Sequence, residues 1–199
     1  MKRLVVLASG EGTNLQAILD ACANATIDAA VVAVVSNKAA APCLARGRAA
    51  GAAAIHVGTA PSGVESRAEY DARLAAAVLA IAPDYVVCAG WMRILSMAFL
   101  EHFDHRVINI HPSLPGELIG ADAIRRAYSE HTHGTRTATG VMVHYIVDEG
   151  VDDGPLIDHV EVEMRPDESL GSLTERMHVV EHRLLVDTLA HLCATGGPP

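Results

Sequence analysis

The sequence is poor in aromatic residues, in positive charge and in closely spaced cysteines. Phe, Trp and Tyr make up 4% of the 199 residues, and the formal net charge is −9. This acidic balance argues against a surface that binds nucleic acid or an anionic membrane, so an anionic ligand needs a local site. The four cysteines lie far apart without metal-ligand or redox spacing, which predicts reduced thiols in a cytoplasmic protein.

Long apolar runs, repeats and targeting signals are also missing. No segment is long and apolar enough to span a membrane, and Lys2-Arg3 is followed by too short an apolar run for a signal peptide. Half of the residues are hydrophobic and the length suffices for one sizeable core, so we expect a single domain over 1–199. The Gly- and Pro-rich end predicts a loose tail over 195–199.

Apolar runs alternate with helical patterns along the chain. Runs without polar alternation are typical of parallel strands that are buried on both faces. We therefore predict an α/β fold, a single doubly wound and mostly parallel sheet, with an antiparallel strand from the region 140–162 at one edge. The predicted strands are residues 4–8, 27–35, 53–57, 84–89, 107–111, 140–147 and 156–162, and the predicted helices are 15–23, 42–50, 67–81, 96–103, 122–130 and one capped by Ser172.

One predicted strand, residues 107–111, carries two polar side chains at its end. Asn109 and His111 are two residues apart and face the same side of a strand, and Pro112 ends the ladder after them. Both side chains therefore project from the C-terminal edge of the sheet, where open α/β folds bind ligands. Asn can donate to an oxyanion, and His can move a proton near neutral pH. The alternative is a core pair that backbone groups satisfy.

A glycine loop, Ser-Gly-Glu-Gly-Thr-Asn at 9–14, joins the first strand to a helix. Such a loop directs backbone N–H groups to the positive end of the helix, which makes a cradle for phosphate, and Thr13 with Gln16 can form a capping box. The dinucleotide fingerprint fails because Leu15 stands where a third glycine belongs, and no Gly-Lys-Ser/Thr supports a nucleoside triphosphate. The loop favours a phosphate monoester, unless it is an ordinary turn.

Further candidates follow from their surroundings. Segment 90–95 is unusually apolar for a turn, so it can wall a flat aromatic ligand with Arg93 available for an anion, or else enter the core. Arg67 lies in the first turn of a helix, where a cation opposes the dipole, which hints at an anionic ligand or simply at a solvated side chain. Glu181 borders the apolar stripe of the last helix, and its spacing favours a surface carboxylate. The acidic loop 148–155 lacks calcium-loop spacing.

Six motifs together resemble the phosphoribosylglycinamide formyltransferases, a branch of the folate formyltransferases. The resemblance covers nearly the whole chain. It implies a phosphate-binding half over about 1–103 and a catalytic and folate-binding half over about 104–194. The Asn-Ile-His-Pro-Ser-Leu element is shared with the wider family, and the N-terminal glycine loop narrows the resemblance to this branch. The motifs are Leu-Ala-Ser-Gly-Glu-Gly-Thr-Asn-Leu-Gln (7–16), Glu-Ser-Arg-Ala-Glu-Tyr-Asp (65–71), Ala-Gly-Trp-Met-Arg-Ile-Leu (89–95), Asn-Ile-His-Pro-Ser-Leu (109–114), Asp-Asp-Gly-Pro (152–155) and Glu-His (181–182).

The resemblance implies transfer of a formyl group from 10-formyltetrahydrofolate, a consumed co-substrate, to the amine of 5′-phosphoribosylglycinamide in purine synthesis. It implies no metal and no covalent enzyme intermediate. Direct attack by the amine gives a tetrahedral intermediate that Asn109 and His111 stabilise, while Asp152 raises the pKa of His111 and relays protons. The resemblance assigns Gly12, Thr13, Asn14 and Glu181 to the ribonucleotide, and Arg67, Met92, Arg93, Ile94, Leu95 and Asn109 to the folate.

The chain departs from the resembled pattern in three places. Asp122 stands where many members carry His, and the loop through 130–139 is longer than in compact bacterial members. The acidic loop is one residue longer, so Asp152 is chosen over Asp153 by anchoring on Gly154-Pro155.

Two classes of rival remain. The first class contains the other formyl-folate enzymes. A methionyl-tRNA formyltransferase should carry a further RNA-binding domain, and a formyl-folate hydrolase should carry an N-terminal regulatory domain. A sugar-amine formyltransferase should lack the glycine loop. The other class is a silent phosphate-binding module, which binds without turnover. The expected partners are small molecules only, without nucleic acid or membrane, for a monomer or a homodimer.

Overall fold

The chain folds around one seven-stranded sheet with helices on both faces, as a computed structural model describes it for residues 1–61 and 64–196. The strands are β1 (Lys2–Leu7), β2 (Ala29–Ser36), β3 (Ala53–His56), β4 (Tyr85–Cys88), β5 (Val107–His111), β6 (Ala138–Tyr145) and β7 (Leu156–Glu163). The helices are α1 (Thr13–Ala23), α2 (Pro42–Ala49), α3 (Arg67–Leu79), α4 (Met97–Leu100), α5 (Ala123–Thr132) and α6 (Leu170–Thr195).

The strand order is β3-β2-β1-β4-β5-β6-β7. Strands β1 to β5 are parallel, whereas β6 runs antiparallel to both β5 and β7. The predicted doubly wound, mostly parallel sheet is confirmed, and its edge carries an antiparallel hairpin. Because the chain leaves β1 toward β2 on one side and leaves β4 toward β5 on the other, a crevice opens between the C-terminal ends of β1 and β4.

The uninterrupted apolar run of β1 reflects burial on both faces of the sheet. Leu4 and Val6 pack in a cluster with α1, α2, α5 and α6, whereas Val5 and Leu7 pack in a second cluster with α3 and α4. All four side chains are fully buried. A central parallel strand covered on both faces needs apolar residues at every position, which explains the missing polar alternation.

The starts of α3 and α6 are both capped by a serine. A capping box begins α3, because the Ser66 hydroxyl accepts a hydrogen bond from the Glu69 N–H while the Glu69 carboxylate accepts one from the Ser66 N–H. The prediction that Ser172 caps the last helix is wrong. Ser169 is the N-cap, and its hydroxyl accepts a hydrogen bond from the Ser172 N–H. Serine is a favoured N-cap residue, so both Ser169 and Ser172 suit this position. The path of the chain decides that α6 begins directly after Ser169.

The loop expected through 130–139 is shorter than that range and is cross-linked. Helix α5 continues to Thr132, and β6 begins at Ala138. Between them, the guanidinium of Arg136 forms ion pairs with Glu117 and Glu130. Helix α4 is also shorter than the predicted 96–103, because Leu100 ends it.

Three expectations from composition meet the structure here. The four cysteines are unpaired, and all of them except Cys22 are buried. No helix formed by residues 1–61 and 64–196 is both long and apolar enough to cross a bilayer. Of the tail predicted to be loose, Thr195 ends α6 and Gly196 caps it, while 197–199 lie outside the described residues.

Candidate active site

A cavity of about 490 Å³ lies at the C-terminal ends of β4 and β5, beside the start of α1. It brings together side chains that the sequence placed in separate motifs. Gly12 and Thr13 immediately precede the lining residue Asn14, and Asp122, at the position where a His was expected, also lines the cavity. The predicted site residues in the lining are Asn14, Met92, Arg93, Ile94, Leu95, Asn109, His111, Asp152 and Glu181.

The carboxylate of Asp152 joins both polar side chains of the β5 end. Its Oδ1 accepts a hydrogen bond from Asn109 Nδ2 at 3.1 Å, and its Oδ2 lies 3.3 Å from His111 Nδ1. The Gly120 N–H donates to the same Oδ2 at 2.9 Å. Asp153 is exposed. The structure therefore brings Asp152, and not its neighbour, to the two side chains that the β5 spacing singled out.

The choice of Asp152 rested on Gly154-Pro155 as an anchor, and the chain packs tightly there. A Cβ on Gly154 would lie 1.9 Å from the Tyr145 carbonyl oxygen, so only glycine allows this approach. Pro155 O also accepts a hydrogen bond from the Tyr145 N–H. These contacts hold the end of the acidic loop against β6, and Asp152 lies just before this fixed point in the chain. Asp152 itself has a φ of 54°, an unusual conformation for a residue other than glycine.

His144 belongs to the same cluster, and sequence reasoning missed it. It pairs with Asn109 across the β5–β6 ladder, and its Nε2 lies 3.1 Å from Asn109 Nδ2. Since an amide nitrogen can only donate, His144 Nε2 accepts, and its Nδ1–H donates to the Tyr145 carbonyl at 3.0 Å. His144 is thus oriented by one contact at each ring nitrogen. The available signal was a lone His within the apolar run of β6, but its partner required the antiparallel register.

His111 faces a hydrogen-bond acceptor at each ring nitrogen. Nδ1 meets Asp152, and Nε2 lies 3.1 Å from the Leu118 carbonyl oxygen. Burial nevertheless lowers the pKa of His111, and it outweighs the opposite effects of Asp152 and Leu118. Asp152 therefore acts on His111 in the predicted direction, but the net shift is downward.

The pKa of Asp152 is also lowered. Burial raises this pKa, but the His144 ring, the Gly120 N–H and the charge on His111 act against it, and the net shift is downward. Asp152 is therefore a carboxylate near neutral pH, which makes it an acceptor for Asn109 and a counter-charge for a protonated His111.

The glycine loop enters α1 without a side-chain cap. The predicted capping box of Thr13 and Gln16 is wrong, because Gly12 is the N-cap residue, with a φ of 74°. An added Cβ on Gly12 would lie 2.8 Å from the Cys43 Cβ, so glycine is needed for both conformation and space. Without a side-chain cap, the first N–H groups of α1 stay available to an anion.

Glu181 is buried, which corrects the surface interpretation drawn from its spacing. The residue is 6% exposed and lines the cavity together with Asn14. Burial raises the pKa of Glu181 to about 7, and the Asn14 side chain opposes that shift. A carboxylate in this position changes charge close to neutral pH.

The apolar turn at 90–95 divides between core and cavity. Trp91 and Leu95 are buried, as in the core alternative, whereas Met92 is 69% exposed and Ile94 is 45% exposed at the cavity. The guanidinium of Arg93 stacks on the Tyr70 ring at 4.3 Å. The segment thus supplies apolar walls and one cation at this side of the cavity.

Arg67 lies outside the cavity lining, where Glu149 balances its charge in an ion pair. Glu149 also accepts a hydrogen bond from the Met97 N–H at 3.1 Å. It therefore links the loop that carries Asp152 to the starts of α3 and α4.

Three buried polar atoms of lining residues make no hydrogen bond within residues 1–61 and 64–196, namely Asn14 Oδ1, Trp91 Nε1 and Arg93 Nε. Buried polar atoms are nearly always paired, so all three are candidate contacts for a bound ligand. Across the same residues, no group of His, Cys, Asp and Glu side chains is arranged to hold a metal ion.

Comparison with known proteins agrees with the motifs. The formyl transferase family matches residues 2–189. The phosphoribosylglycinamide formyltransferase of Schizosaccharomyces pombe is 40% identical over an alignment of 196 positions that covers 94% of each chain. The Escherichia coli protein of the same name is 43% identical over 183 residues, 91% of this chain and 82% of the relative. A glycinamide ribonucleotide transformylase structure from Symbiobacterium toebii superposes with a TM-score of 0.89 at 38% identity, covering 98% of this chain and 88% of that one. The chain therefore belongs to the formyl transferase family.

Proposed function

We propose that this enzyme transfers the formyl group of 10-formyltetrahydrofolate to the amine of 5′-phosphoribosylglycinamide, as a cytoplasmic step of purine synthesis. The observation that carries the proposal is the Asp152 carboxylate, which joins Asn109 and His111 in a cavity that also holds Asn14 and Glu181. One cavity thus offers polar groups for acyl transfer at one side and ligands for a phosphorylated sugar at the other.

The reaction begins with attack of the neutral substrate amine on the formyl carbon. The carbonyl electrons move to oxygen, and the carbon becomes tetrahedral. Asn109 and His111 donate hydrogen bonds to this oxyanion, whose negative charge favours the protonated form of His111 against the lowered pKa that burial gives it. For this, Asn109 moves one N–H from His144 to the substrate oxygen, while its other N–H stays on Asp152. The substrate oxygen likewise replaces the Leu118 carbonyl as the partner of His111 Nε2.

Proton transfer completes the step. The attacking nitrogen becomes more acidic as its bond to carbon forms, and the folate nitrogen must gain a proton to leave. The ionised Asp152 is the acceptor best placed for that proton, directly or through water, and His111 beside it shares the charge. Collapse of the intermediate then breaks the bond between carbon and the folate nitrogen. That nitrogen takes the proton from Asp152 and leaves as tetrahydrofolate, and the amine is formylated.

The substrates take opposite sides of the cavity. The N–H groups of Gly12, Thr13 and Asn14 hold the 5′-phosphate at the start of α1. Glu181 accepts hydrogen bonds from the ribose or glycinamide portion. The folate ring packs against the apolar side chains of the 90–95 turn, and Arg93 and Arg67 serve its anionic portion. The folate placement uses the unpaired Nε of Arg93.

The experiment that tests this proposal follows folate deformylation by difference absorbance with purified protein. The reaction contains 10-formyltetrahydrofolate, with or without glycinamide ribonucleotide. We expect turnover only when the ribonucleotide is present. Turnover without it would identify a hydrolase, whereas no turnover in either reaction would leave a sugar-amine acceptor or a silent binding module.

A further inference from the structure

Helix α2 holds the glycine loop through hydrogen bonds to carbonyl groups of the loop. The Cys43 N–H donates to the Gly10 carbonyl at 3.2 Å, and Arg46 Nε donates to the Glu11 carbonyl at 2.8 Å. Arg46 also donates through Nη1 to Gln16 Oε1 at 3.1 Å, which ties the guanidinium to the first turns of α1. One planar side chain therefore links the loop, α1 and α2.

These contacts determine where the N–H groups of the loop point. In a trans peptide unit the C=O and the N–H are directed to opposite sides. Because the carbonyls of Gly10 and Glu11 face α2, the N–H groups of Glu11 and Gly12 are directed away from it. The carbonyl contacts of α2 thus turn a row of donors outward at the N-terminus of α1, where the helix dipole also favours an anion.

A guanidinium suits this task better than other side chains. Its donors lie in one plane at fixed directions, so Arg46 can serve the Glu11 carbonyl and Gln16 together. Lysine offers the same charge from a single nitrogen. The Cδ of Arg46 also lies 3.5 Å from where a Cβ on Gly12 would be, so the side chain packs along the loop that it holds.

We propose that Arg46 is a positioning residue for the phosphate-binding loop, acting through the Glu11 carbonyl and Gln16 rather than as a direct phosphate ligand. This inference rests on the proposed function, because that function requires a phosphate cradle and Arg46 lies beside it. It gives α2 a role in the affinity for the ribonucleotide, although α2 lies outside the glycine-loop motif.

The test compares Arg46→Met and Arg46→Lys with Arg48→Met, an exposed arginine on the same helix. Initial rates are measured with glycinamide ribonucleotide and with its dephosphorylated nucleoside. For both Arg46 variants we expect the KM for the ribonucleotide to rise about tenfold, with kcat and the folate KM within about twofold of wild type. The KM for the nucleoside should stay unchanged, because that substrate has no phosphate. Arg48→Met should behave as wild type.

Several outcomes would overturn the inference. Full rescue by Arg46→Lys would mean that charge alone matters, and an equal rise in KM for both substrates would mean general damage to the fold. Arg48→Met matching Arg46→Met would point to long-range attraction. If wild type itself bound both substrates equally, the phosphate cradle would be wrong, whereas a selective wild type with unaffected Arg46 variants would reject only the role of Arg46. Circular dichroism of each variant verifies folding, and Arg46→Lys keeps the test open if Arg46→Met does not fold.

Discussion

The cluster at the β5 end and the glycine loop before α1 present their polar groups by different means. The cluster presents side chains, since Asn109, His111, His144 and Asp152 meet through charges and hydrogen bonds in a largely buried corner. The loop presents its main chain, and contacts from α2 hold its Gly10 and Glu11 carbonyls. Buried charges can stabilise a transition state, whereas fixed backbone donors hold a group that does not react. Substitutions in the cluster should therefore lower turnover, and changes in the loop should weaken binding.

Asp152→Asn gives the sharpest contrast, because it removes the charge that the cluster shares. The amide cannot accept the proton, and His111 loses its counter-charge. We expect kcat to fall roughly 10³-fold, with the KM for the ribonucleotide little changed, in steady-state assays. Asp153→Asn is the matched control and should retain nearly full activity, since Asp153 is exposed. Loss of activity in the control alone would place the catalytic carboxylate one residue later.

Substitution of either oxyanion donor should have the next largest effect. Asn109→Ala and His111→Ala each remove one stabilising group, so kcat should fall on the order of 10²-fold while ribonucleotide affinity is kept. Single-turnover rates would separate the chemical step from product release. A near-wild-type rate in one variant would remove that residue from the oxyanion site.

Gly12→Ala tests the loop side of the comparison. The added Cβ meets a positive φ of 74° and the Cys43 side chain, so the loop must shift. We expect the KM for the ribonucleotide to rise about tenfold, with kcat within about threefold of wild type. Gly10→Ala is the control, since its Cβ has no other atom within 4 Å and its effect should be much smaller. A large fall in kcat for Gly12→Ala would break the division between the two regions.

Glu181 should give the smallest effect, one that depends on pH. With a pKa of about 7, it loses its charge as the pH falls, so the KM for the ribonucleotide should rise severalfold between about pH 8 and about pH 6. Glu181→Gln should flatten this profile. An unchanged profile in the variant would assign the titration to another group.

The same residue gives a prediction for stability. Burial raises its pKa from 4.5 to about 7, so between these values the folded state keeps a proton that the unfolded state has lost. The free energy of unfolding should therefore fall as the pH rises through this window. Chemical denaturation of wild type and Glu181→Gln should show the fall in wild type only.

The features of the fold and the site that depend on local sequence pattern could be predicted from the sequence. The continuous apolar strands predicted the doubly wound sheet, and the two-residue spacing placed Asn109 and His111 on one side of β5. His144 was not identified because its contacts depend on the strand pairing. The main-chain contacts of Leu118 and Gly120 cannot be inferred from residue types. Glu181 was misread because an edge position on a helix does not tell what covers it.

The most direct measurement is calorimetric titration of glycinamide ribonucleotide into wild type, Asp152→Asn and Gly12→Ala, without folate. If the cluster performs the chemistry and the loop holds the phosphate, Asp152→Asn should bind within about twofold of wild type despite its lost turnover, and Gly12→Ala should bind about tenfold more weakly. Equal loss of affinity in both variants, or a larger loss in Asp152→Asn, would contradict the division of roles between the two regions.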